Sequence, residues 1–223
     1  MSIRENLQKL RKTLPEDITL VAVSKTKPPE LIMEAYEAGH RIFGENKVQE
    51  LIAKQPELPD DIEWHFIGHM QTNKVKFLVP FIHMIHGVDS LKLLKEINKR
   101  AAKQNRRIQC LLQFHIAEEE TKFGLSYPEA EQILSELKRN EFTSIRLSGV
   151  MGMATFTDDE NQIRKEFRYL HDIFSRLKST YFTEDGDFRI ISMGMSGDYR
   201  IAIEEGSNMV RIGTAIFGER NVH

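Results

Sequence analysis

A chain of 223 residues with 31 Lys and Arg against 33 Asp and Glu, formal charge −2, has room for one sizeable core and lacks the basic excess of a nucleic-acid binder. Its one cysteine, Cys110 in the apolar stretch CLLQF, excludes a disulfide framework and fits a buried small hydrophobe in a reducing cytoplasm. No apolar run approaches the ~18 residues of a membrane span, and the opening MSIRENLQKLRKTL has the pattern of an amphipathic helix rather than a signal peptide.

After that leading helix, apolar strand-like runs are expected at 18–26, 41–46, 63–68, 84–89, 107–116, 144–154, 188–196 and 209–218. Helical patterns fill the intervals at 29–38, 47–54, 73–79, 91–103, 128–139, 158–179 and 198–205. Punctuation agrees with these limits: Pro29 and Pro128 open helices, Gly39 and Gly206 follow helix ends, and Thr157 with Glu160 reads as a capping box. Strict alternation of strand and helix predicts a single (β/α)8 barrel over residues 1–223 with an extra N-terminal helix, the alternative being an open doubly wound sheet.

The first strand, ITLVAVSKT, ends in Lys25. By two-residue alternation Val21, Val23 and Lys25 share one face, so the amine is either partly desolvated and nucleophilic toward a carbonyl or extended past the strand end into water. A barrel gathers its chemistry at the carboxyl ends of its strands and commonly holds phosphate in the loops after strands seven and eight. Strand seven runs into SMGMSGD, where Gly194, Ser196 and Gly197 offer close backbone approach and a hydroxyl, or simply a turn. Strand eight, VRIGTAIFG, sends Arg211 and Gly213 to the barrel interior when Val210, Ile212, Thr214 and Ile216 face the helices. Closure sets strand eight beside strand one, bringing Arg211 and Gly213 next to Lys25. A Schiff-base lysine, an interior arginine and an anion nest suit a phosphorylated aldehyde, with pyridoxal phosphate as the leading candidate. Asn46, at the end of strand two, either reaches that ligand or caps the following helix.

VAVSKTKP, FGEN at 43–46, WHFIGHMQTNK at 64–74, KFG at 122–124, SMGMSGD and VRIGTAIFG together resemble the pyridoxal phosphate homeostasis proteins along essentially the whole chain. That family is similar to the barrel domain of bacterial alanine racemase. The resemblance implies pyridoxal 5′-phosphate as cofactor, a Schiff base at Lys25, Arg211 at the pyridine nitrogen, and Ser196 with the backbone around Gly213 and Thr214 on the phosphate. His69, where the family varies, and His115, where asparagine is expected, depart from the pattern, and Lys122 faces either cofactor or solvent.

An arginine at the pyridine nitrogen can only donate, which leaves the ring unprotonated and weakens it as an electron sink. Alanine racemase takes its second acid/base group from an additional domain, and the chain is expected to lack one because it ends at His223; Tyr199 or His69 is the substitute to consider. The expectation is therefore a cytoplasmic, monomeric carrier of pyridoxal phosphate, with apo-enzymes as recipients and little or no catalysis. An amino-acid racemase of the same fold is the alternative, and a Schiff-base aldolase is a more distant one. No metal is expected, since His65 and His69 straddle a strand end and do not share a helical face.

Overall fold

The computed structural model describes residues 2–119, 123–139 and 142–219. Lys122 lies outside the described residues.

Helix α1 (Ile3–Arg11) starts at Ser2, whose hydroxyl accepts from Glu5 N while the Glu5 carboxylate accepts from Ser2 N, so a capping box satisfies two leading N–H groups. Ile3, Leu7 and Leu10 form its buried stripe, and Asn6 ties it to Ile216 O at 2.9 Å. Eight strands follow: β1 (Thr19–Val23), β2 (Ile42–Glu45), β3 (Glu63–Phe66), β4 (Met84–Val88), β5 (Ile108–Gln113), β6 (Ile145–Met151), β7 (Ile190–Ser192) and β8 (Met209–Ile212). All pair in parallel, and β8 returns to β1 with Val21 opposite Arg211, so the expected barrel is the observed one. The outer elements are α2 (Pro29–Glu37), α3 (Val48–Lys54), α4 (Val75–Leu78), α5 (Leu91–Lys103), α6 (Tyr127–Arg139), α7 (Glu160–Tyr181), α8 (Tyr199–Glu204) and α9 (Thr214–Phe217).

Two-residue alternation divides the strands into two layers. Leu20, Ala22, Phe43, Trp64, Phe66, Ile85, Cys110, Leu112, Val210 and Ile212 face outward and are buried under the helices. Val21, Met84, Leu111, Met151 and Met209 form a separate cluster inside the barrel. Cys110 is wholly buried, and burial pushes its thiol far above the usual range, which suits an inert core residue.

Three expectations change in detail. The cap of α7 is Asp159, whose carboxylate accepts from Asn161 N and Gln162 N; Thr157 accepts only from Asp159 N. Strand eight stops at Ile212, because Gly213 is the N-cap of α9, and Thr214 therefore opens a helix instead of facing outward from a strand. The helix expected at 73–79 is shorter, a 3₁₀ turn at Thr72–Lys74 leading into α4.

Candidate functional site

The carboxyl ends of β1, β2, β7 and β8 converge on a cavity of about 600 Å³. Lys25, Asn46, Ser196, Arg211, Gly213 and Thr214, the six residues singled out from the sequence, all line it. Their levels differ: Arg211 is buried at the floor, Lys25, Asn46, Ser196 and Gly213 are half-buried, and Thr214 is exposed at the rim.

The turn that carries Lys25 is braced from beneath. Ser24, on the opposite face of the strand, donates to Glu45 Oε1 at 2.7 Å, and Lys54 Nζ reaches Ser24 O at 2.9 Å, Glu45 Oε1 at 2.8 Å and Glu50 Oε1 at 2.6 Å. Thr26, at φ 65°, donates its N–H to Glu50, fixing a backbone conformation that a β-branched residue seldom adopts. Glu45 is wholly buried, its Oε2 has no hydrogen-bond partner among the described residues, and burial raises its carboxyl pKa against the opposing pull of Lys54 and Ser24. The neighbouring Lys27 is engaged elsewhere: its amine donates to Phe217 O, Gly218 O and Glu219 O at 2.8 to 3.2 Å, closing the C-terminal end of α9.

Arg211 is 3% exposed and is held by three acceptors: Ser192 O at 2.9 Å, Ser192 Oγ at 2.6 Å and Gly152 O at 3.0 Å. Burial pulls its pKa down to about 10, partly offset by the Asp198 carboxylate, so it remains a cation near neutral pH. Beside it the backbone closes in. A Cβ on Gly213 would stand 2.9 Å from Val23 O, and Gly213 N lies 3.4 Å from Ser196 Oγ. Gly194, at φ 99°, is required because a side chain there would meet Ala202 Cβ at 2.7 Å and Tyr199 Cα at 2.9 Å; this sets the turn that brings Ser196 to the cavity.

The remaining candidates separate. His69 lines the cavity, paired with Asp89 at 3.2 Å and stacked on Phe123 at 4.3 Å between ring centres. His115 bonds to Glu119 O at 2.8 Å, and Tyr199, which accepts from Arg200, packs against the core; neither is among the cavity-lining residues. His65 is buried inside the barrel, whereas His69 stands at the cavity. At the opposite mouth Glu63, His65 and His83 bring one donor atom each within 4.8 Å, with His65 Nδ1 bonded to His86 and His83 Nε2 to Gln109. Sequence reasoning missed Ser192 and His86 beneath Arg211, and Glu45 and Lys54 beneath Lys25. For Ser192 and His86 the available signal was a polar residue at an inward position of an otherwise apolar strand; Glu45, on the outward face with Phe43, and Lys54, on α3, gave no such signal.

The alanine racemase N-terminal domain family matches residues 1–221. The pyridoxal phosphate homeostasis protein of Aquifex aeolicus (strain VF5) is 42% identical over 90% of this chain and 86% of its own length, and that of Escherichia coli (strain K12) is 37% identical over 93% and 88%. Among solved structures, PipY of Synechococcus elongatus PCC7942 with PLP bound aligns with TM-score 0.88 at 33% identity, over 97% of this chain and 100% of PipY. Alanine racemase of Clostridium difficile 630, at 19% identity, shares the fold with TM-score 0.76 over 99% of this chain and 56% of that one. With that match along nearly its whole length and relatives at 37 and 42% identity, the chain belongs to the pyridoxal phosphate homeostasis protein family, built on the alanine racemase N-terminal domain fold.

Proposed function

We propose that the chain binds pyridoxal 5′-phosphate at the carboxyl-end mouth of the barrel, holds the aldehyde carbon on Lys25 as a Schiff base, and serves vitamin B6 homeostasis with little or no catalysis of its own. The observation that carries this reading is the convergence of Lys25, Asn46, Ser196, Arg211, Gly213 and Thr214 on one cavity of about 600 Å³. The donor set fits the cofactor. An amine stands at one strand end, a donor-only guanidinium lies on the adjacent strand, and a hydroxyl and an N–H meet at the edge where Gly213 leaves no room for a side chain. The first turn of α9 leaves leading N–H groups without intrahelical acceptors, which suits the phosphate.

Lys25 is preferred over Lys27 because Lys25 lines the cavity, whereas the Lys27 amine is directed to the carbonyls at the end of α9. Asn46, half-buried beside Lys25, orients the ring edge. When bound, the cofactor supplies an electron sink for bonds at an amino-acid α-carbon. Arg211 blunts that sink, since a guanidinium donates to the ring nitrogen without giving up its proton. Lys25, His69, Asp158, Asp198 and Arg211 are the titratable side chains lining the cavity among the described residues. His69 is engaged by Asp89 and Phe123, Asp198 accepts from Met195 N and Asp158 is exposed, so Lys25 is the group placed to move a proton on a single face. The proposal extends to residues 1–223 acting as one cofactor-binding unit, monomeric and cytoplasmic, that passes cofactor to apo-enzymes.

Cofactor-loaded protein incubated with L-alanine in deuterium oxide tests the catalytic part. Slow deuterium uptake at the α-carbon with retained configuration is expected. D-alanine formed near the enzyme median of about 10 per second would replace the carrier by a racemase.

A further inference from the structure

Beneath Arg211 a line of polar side chains runs down the barrel axis, through a layer otherwise filled by Val21, Met84, Leu111, Met151 and Met209. Arg211 Nη1 meets Ser192 Oγ at 2.6 Å, Ser192 Oγ meets His86 Nδ1 at 3.0 Å, and His86 Nε2 meets His65 Nδ1 at 3.0 Å. Ser192 and His86 are fully buried and His65 is 2% exposed, so the Ser192–His86 contact is shielded from water. Polar groups in an apolar barrel are costly unless they are paired, and these contacts pair the Ser192 hydroxyl and both ring nitrogens of His86.

The direction of the chain follows from its first member. Guanidinium can only donate, so Ser192 Oγ accepts from Arg211 and turns its own hydrogen to His86 Nδ1. His86 is then protonated at Nε2 and donates to His65 Nδ1, which leaves the proton of His65 on Nε2. Both rings are neutral: burial holds His65 down at about 3 and His86 well below the ordinary histidine value, and the Arg211 charge adds to the effect on His86. Every hydrogen points away from the cation. At the far end His65 stands beside half-exposed Glu63 and His83, with one donor atom of each within 4.8 Å of the others.

We propose that Ser192 and His86 are positioning residues that fix the Arg211 guanidinium at the cavity floor through a one-way hydrogen-bonded chain ending at His65. The chain sets how the guanidinium meets the pyridine nitrogen, and in that respect it rests on the pyridoxal phosphate reading. Loss of the acceptor on His86 frees the Ser192 hydroxyl to rotate and loosens Arg211.

Two measurements separate this claim from the reading it rests on. Long-range proton–nitrogen correlation of the histidine rings in ¹⁵N-labelled, cofactor-free protein is expected to show Nε2–H for both His86 and His65; Nδ1–H on His86 would overturn the chain whether or not the cofactor binds. In the second, pyridoxal phosphate is titrated into His86→Asn and His86→Leu. The Asn carbonyl stands where Nδ1 stood and is expected to retain most of the affinity, whereas Leu is expected to lose about tenfold and to shift the visible band of the bound cofactor. A purely structural role predicts the reverse order, since Leu is the better core residue, and equal behaviour of the two variants would overturn the proposal. Should the Leu variant not fold, Ser192→Thr against Ser192→Ala repeats the comparison, with the hydroxyl kept in the first and removed in the second.

Discussion

Ser196 and Gly213 meet at the cavity edge, one through a hydroxyl and the other through the absence of a side chain. Ser196→Ala removes one neutral donor to an anion and is expected to weaken pyridoxal phosphate binding by roughly 1.5–3 kcal/mol, read by titration of the visible band. Pyridoxal without its phosphate should bind far more weakly, and equal affinity of the two forms would move the anion site away from these loops. Gly213→Ala places a methyl 2.9 Å from Val23 O, a backbone atom that cannot turn aside, so β1 and β8 must separate. A loss of at least about tenfold in affinity is expected, and unchanged binding would show that the backbone there does not approach the ligand. These residues were legible in the sequence because local rules point at them: a lysine closing an apolar strand, glycines and a serine after strand seven, an arginine at an inward position. Ser192 and His86 were not legible. Each is an ordinary polar residue until barrel closure reveals that their strands face one another across the axis.

Glu45 at the end of β2 and Lys54 at the end of α3 join two elements under the β1 turn, so this corner is held by charge rather than by apolar packing. Lys54→Met leaves Glu45 buried without its cation and is expected to cost about 3–5 kcal/mol in urea unfolding. Adding Glu45→Gln should recover part of that loss, and full additivity of the two changes would show that they do not interact. Hydrophobic periodicity identified every strand and the longer helices, because each strand buries an outward apolar row whatever lies inside it. It overran the strand ends. In strand seven the apolar residues continue through Met193, which is fully buried, although pairing stops at Ser192 where the chain turns for Gly194. The α7 cap was misplaced for a similar local reason, since Thr157 and Asp159 both carry capping oxygens and only the backbone path decides between them.

At the scale of the molecule, three buried histidines among the described residues are neutral in the native state, and their burial links stability to pH. Burial, with the Arg11 and Arg41 charges, holds His40 at about 4; burial holds His65 at about 3 and His86 lower still. The unfolded chain takes up protons near pH 6.5 and the folded one does not, so this stability is fully present above pH 6.5 and is lost as pH falls toward 3 or 4. Between pH 7 and pH 5, above the range of ordinary carboxylates, the loss should be about 2 kcal/mol for each histidine, measured by urea midpoints at the two values. Replacing His65 by Asn should remove one such share of the slope, and an unchanged slope would mean that His65 is not buried neutral. Closure of eight strands is also what brings Lys25 and Arg211 together across 186 residues of sequence. The most direct test of that arrangement as a cofactor site is borohydride reduction of the cofactor-loaded protein followed by peptide mapping. The pyridoxyl group is expected on Lys25, with the visible band absent from Lys25→Ala; a label on Lys27, or a variant that keeps the band, would contradict the account.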